Sequence, residues 1–72
     1  MKASYERLSN AIILQAVKDY RNALKRLKKH PSNETALYTK YEVERFFRSD
    51  WYTSLTTVDP EMLIRKLNEE VI

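Results

Sequence analysis

Between Tyr5 and Leu27 apolar side chains recur every three or four positions, at Tyr5, Leu8, Ile12, Ala16, Tyr20, Ala23 and Leu27. Ile13, Val17 and Leu24 widen that stripe. A period between three and four is that of an amphipathic α-helix with one face against a core. At about 100° per residue these side chains cover roughly half the circumference, enough to meet two neighbouring helices. The opposite side carries Arg7, Lys18, Arg21, Lys25, Lys28 and Lys29, with Leu14 as its one large apolar member. The stripe has no place for Leu14.

Pro31 removes a backbone donor and pushes His30 away from helical geometry, so the first helix should close near residue 29. Ser32 or Asn33 can cap a second helix, with Glu34 in its first turn. Ala36, Val43, Phe46 and Phe47 mark a buried face there, with Leu37 and Tyr41 on an adjacent one. Ser49-Asp50 reads as a cap and bend before a short helical turn through Trp51, Tyr52 and Leu55. Asp59 then caps a last helix with Pro60 at its first position, and Val58 can staple onto Leu63. That helix turns Leu63, Ile64, Leu67 and Val71 inward. The predicted fold is all-α, a single domain over 1–72. Three main helices cover about 4–29, 33–48 and 60–71, with a short extra turn near 50–55.

Composition agrees with this pattern. Seventy-two residues with no Gly and only two Pro leave few sites for tight hairpin turns, which disfavours β folds. The chain is near the lower size limit for a single apolar core. The turn over residues 27–37 resembles those of tetratricopeptide-like hairpins, but there is no 34-residue repeat. The absence of Cys excludes disulfides, thiolate nucleophiles and zinc-thiolate sites. No apolar run approaches the ~18 residues of a membrane span. The start, Met1 to Arg7, lacks the uninterrupted apolar stretch of a signal peptide. A soluble protein of the cytoplasm, without a membrane partner, is expected.

Charge is divided along the chain. Residues 1–30 hold eight basic and two acidic side chains, a net of +6, and residues 31–72 hold five and eight, a net of −3. Such a split suits an anionic partner or electrostatic pairing of the two halves. Part of the basic cluster at Lys25, Arg26, Lys28 and Lys29 complements the negative end of the helix dipole. The remainder of that face can track a phosphate backbone, since Arg21, Lys25 and Lys28 line up along it. No helix-turn-helix spacing is evident, so weak or non-specific nucleic-acid binding is the most it supports.

Catalytic signatures are missing. Gly-rich phosphate loops are impossible, and the single His30 reads as a solvent-exposed helix end rather than a base or metal ligand. Glu42/Glu44 and Glu69/Glu70 are expected in solvent, and Asp19 at the stripe edge is expected to pair with a later Arg. No catalytic, cofactor or metal site is expected. In the aromatic block, Phe46, Phe47 and Trp51 are assigned to the core. The tyrosines and Arg48 are assigned to the surface, where they can serve a partner.

The runs Glu6 to Arg21, Glu44 to Tyr52 and Asp59 to Ile64 resemble small uncharacterised helical proteins encoded by phages and integrative elements of Gram-positive bacteria. The resemblance covers most of the chain and carries no activity for any residue. It implies a short accessory gene product of a mobile element, a context that includes inhibitors of host defence such as CRISPR and helpers of replication or recombination. The expectation is a binding protein without catalysis whose partner is a host or phage protein. It would dock through Lys18, Arg21, Lys25, Lys28, Lys29, Tyr38, Tyr41 and Arg48. A nucleic-acid-binding factor using the same basic face is the alternative, and a homodimer suggested by Leu14 is the third reading. A DNA mimic is disfavoured because the chain is net basic, at +3.

Overall fold

The computed structural model describes the backbone of residues 2–71 and the side chains of residues 8–71. Four helices account for nearly all of it: α1 (Lys2–Lys29), α2 (Glu34–Phe47), α3 (Asp50–Leu55) and α4 (Pro60–Val71). The fold is all-α, with no strand among the described residues. No helix there is long and apolar enough to cross a membrane.

The boundaries follow from capping chemistry. His30 still donates its N–H to the Arg26 carbonyl, and Pro31 ends α1 immediately afterwards. Asn33 is the N-cap of α2, its Oδ1 accepting from the Ala36 N–H at 3.1 Å. Ser49 serves two helices at once. Its hydroxyl donates to the Phe46 carbonyl at the end of α2 and accepts from the Tyr52 N–H at the start of α3. Asp59 caps α4 by accepting from the Glu61 N–H, while Pro60 occupies the first helical position.

At 1.5 Å per residue α1 spans about 42 Å, which sets the 44 Å long axis of the molecule. The shorter helices pack along it in alternating directions. Arg26 shares a surface pocket with Ala36 and Thr39, whereas Ile12 and Ala16 face Phe46, so α2 runs antiparallel to α1. Arg21 meets Glu70, and Lys28 lies beside Val71, so α4 runs parallel to α1. The six-residue α3 sits at the turn between α2 and α4, near the N-terminal half of α1.

Val17, Tyr20, Leu24, Phe47, Tyr52, Ile64 and Leu67 form the core, with Ile13, Ala16, Val43, Phe46, Leu63 and Val71 packed around them. All four helices contribute to the inner set. Edge-to-face contacts link its rings: Tyr20–Phe47 at 5.8 Å, Phe47–Tyr52 at 5.6 Å and Phe46–Tyr52 at 5.9 Å between centroids. Lys18, Arg21 and Lys25 stay exposed, so the apolar and cationic sides of α1 are divided as its periodicity predicts.

Four assignments need correction. Leu8 is 60% exposed, and Ser9 takes the buried position at that turn. The inward line of α1 passes through residues 9, 13, 16 and 20, and Leu8 falls at its margin. Trp51 is 57% exposed and stands edge-on to Phe46, with ring centroids 5.3 Å apart. Tyr52 is fully buried instead, because the first turn of α3 directs position 52 inward and position 51 outward. Tyr41 is exposed rather than on a buried face, since it lies across α2 from Ala36 and Phe47. Val58 is 45% exposed at the entry to α4. Tyr5 lies outside the described side chains.

Candidate functional site

Three surfaces or clusters concentrate chemistry. The first is internal. The Tyr20 hydroxyl donates to Glu44 Oε2 at 2.6 Å and accepts from Asn68 Nδ2 at 3.0 Å, joining α2 and α4 through α1. Asn68 also donates to the Ile64 carbonyl at 2.8 Å. Lys40 Nζ lies 2.9 Å from Glu44, and Arg48 reaches it at 3.8 Å. Glu44 was expected in solvent, yet its side chain is only 13% exposed. Burial pushes its carboxyl up, but the hydrogen bonds from Tyr20 and Lys40 outweigh that and hold it below the usual glutamate range. Burial, reinforced by Glu44, drives the Tyr20 phenol far above the ordinary tyrosine value. A phenol held neutral and a carboxylate held charged are poor proton-transfer partners near neutral pH. This cluster ties helices together.

The second is a groove of about 470 Å³ where α1, α2 and α3 meet. Ile12, Ala16, Val43, Phe46 and Trp51 give it an apolar lining, with Ala11 and Gln15 along the α1 side. Leu8 stands one turn before Ile12 on the same side of α1. Asp19 and Glu42 complete the lining from opposite helices. Among the described residues neither carboxylate pairs with a cation. Asp19 accepts from Gln15 Nε2 at 2.9 Å, in place of the expected pairing with a later Arg. Local pattern holds no pointer to this groove, because it joins positions some 30 residues apart.

The third is the cationic side of α1. Lys18, Lys25 and Lys29 are exposed on its outward face, without an ion partner among the described residues. Arg21 is committed elsewhere: Nε and Nη2 grip Glu70 in a fork at 2.7 and 3.0 Å. That grip raises the guanidinium and lowers the carboxyl from their ordinary values. Arg48 makes the same fork with Glu61 at 2.8 and 3.0 Å. Lys28 turns toward Asn68 and Val71 at the α1–α4 seam. Tyr38 and Tyr41 are exposed, but on the outer side of α2. Outward faces of two helices packed on each other look away from one another, so the eight expected docking residues do not form one surface. Lys18, Lys25 and Lys29 stay together. Tyr38 and Tyr41 form a separate patch, and Arg21 and Arg48 are held in exposed ion pairs with Glu70 and Glu61.

His30 is exposed beyond the end of α1. No protein-family profile, curated protein or solved structure matches this chain.

Proposed function

We propose that this is a non-enzymatic accessory protein of a phage or mobile element, a small bundle of three main helices that acts in the bacterial cytoplasm by binding a host or phage protein. Inhibition of a host defence system such as CRISPR is the activity that fits that context. The observation that carries the reading is the placement of Trp51. The chain's one tryptophan stands 57% exposed at an open apolar groove lined by Ile12, Ala16, Val43 and Phe46. Large aromatic side chains at the rim of a concave apolar surface are the usual anchors of protein interfaces. The interior Tyr20 phenol, by contrast, donates its proton to the Glu44 carboxylate in a hydrogen bond.

Affinity capture from a Gram-positive host tests this, using tagged wild type and Trp51→Glu of equal helicity by circular dichroism. A host protein identified by mass spectrometry with the wild type and lost with Trp51→Glu is the expected result. Equal capture by both overturns the groove as the docking surface.

Nucleic-acid binding is the second reading, favoured by Lys18, Lys25 and Lys29 standing exposed along one line of α1. It requires a gel shift that weakens steeply with salt and disappears in Lys18→Glu/Lys25→Glu.

A further inference from the structure

We infer that the groove between α1, α2 and α3 receives an amphipathic helix with an apolar stripe flanked by basic residues, presented by the partner protein. The inference rests on the protein-binding reading above and adds the chemistry of the occupant.

Its length comes from the lining. The α1 side runs from Ala11 to Asp19, a rise of about 12 Å, or roughly two helical turns. Two turns accommodate anchors at i, i+4 and i+7, the register in which amphipathic helices enter grooves. Ala11 and Ala16 carry only methyl groups, so another backbone can come close along α1. Val43, Phe46 and Trp51 supply the opposing apolar wall. Charge then selects the occupant. The protein is net basic, yet the groove is bordered by Asp19 on α1 and Glu42 on α2, both without cation partners among the described residues. The Gln15 hydrogen bond holds one Asp19 oxygen and leaves the other able to accept from an incoming ammonium or guanidinium. Two carboxylates on opposite banks match cations on both flanks of a helix. An acidic helix would meet repulsion there. Complementary rim charges act mainly on specificity and on-rate, while the apolar floor supplies the affinity.

The test uses synthetic 15-residue helical peptides with Leu at i, i+4 and i+7 and either Lys or Glu at the flanking positions. Trp51 is the chain's single tryptophan, so its emission reports directly on the groove. The Lys-flanked peptide should shift Trp51 emission to the blue on binding and bind at least roughly fivefold more tightly than the Glu-flanked one. Glu42→Lys should abolish that preference, since it leaves one carboxylate facing one ammonium, and Asp19→Asn should weaken it. Glu42 is exposed and Asn is close in shape to Asp, so neither change threatens the fold. Equal binding of both peptides, or no shift with either, overturns the inference. So does a Trp51 shift that follows protein concentration alone, since a second copy would then fill the groove. If Trp51→Glu still abolishes capture of a host protein while the peptides fail, only the occupant is wrong. If Trp51→Glu leaves capture unchanged, the protein-binding reading through this groove fails with it.

Discussion

At the residue scale, Tyr20 carries the largest structural responsibility. It is 0% exposed, yet its hydroxyl has both an acceptor and a donor, from two other helices. Tyr20→Phe removes one atom but leaves Glu44 short of a donor and Asn68 short of an acceptor. Unpaired buried polar groups cost about 1–3 kcal/mol, and urea denaturation should show a loss in that range. The same network sets the acid response. Because Glu44 is held below its ordinary value of 4.5, its charged form stabilises the fold above that pH. The contribution disappears as pH falls through the lowered folded-state value. Glu61 and Glu70, also lowered by their arginines, add to the same window. Tyr20 works in the opposite sense. Its raised value makes the neutral phenol stabilising below about 10, and the contribution is lost as pH climbs further. Stability measured against pH should therefore fall at both ends, and Glu44→Gln should flatten the acid limb. The buried link from Glu44 to Tyr20 was not legible in the chain, where Glu44 looks like a surface carboxylate beside Glu42. Lys40 and Arg48 are one turn away, but Tyr20 lies 24 residues back along the chain and Asn68 stands 48 beyond Tyr20.

At the element scale the sequence is far more readable. Helix periodicity and caps are local, and each boundary has a named residue at it. Asn33, Ser49 and Asp59 each accept a backbone N–H at the start of their helix. Asn33→Ala should cost about 1 kcal/mol by thermal or chemical denaturation, the ordinary value of an N-cap. Ser49→Ala should cost more than Asn33→Ala, because its hydroxyl also satisfies the Phe46 carbonyl that closes α2. A smaller loss at Ser49 than at Asn33 would mean that α3 contributes little to the junction. What local pattern could not resolve was the rotation of short elements. In a six-residue helix one step along the chain turns a side chain by about 100°, so Trp51 and Tyr52 exchange core and solvent on a small difference in phase. Leu8 was misplaced for the same reason, at the margin of a wide stripe where Ser9 holds the centre.

On the scale of the whole molecule, stability and the proposed docking surface occupy different parts of the same bundle. A chain of 72 residues has roughly 4–11 kcal/mol of net stability to lose. Phe47 is 0% exposed and meets Tyr20, Phe46 and Tyr52. Phe47→Ala should therefore cost about 3–5 kcal/mol and bring the protein close to unfolding at physiological temperature. Trp51, though larger, packs edge-on against Phe46 and keeps more than half of its surface in water. Trp51→Ala should cost less than half as much as Phe47→Ala, with the helical signal preserved. Leu8→Ala should cost less still. The split has a functional consequence. A surface whose side chains stabilise the fold cannot change without loss of the fold, whereas the groove can alter its partner while the Tyr20–Phe47–Tyr52 core stays fixed. Paired denaturation curves of Phe47→Ala and Trp51→Ala decide the matter. If the two lose equal stability, Trp51 belongs to the core in solution, and its exposure is no argument for an interface.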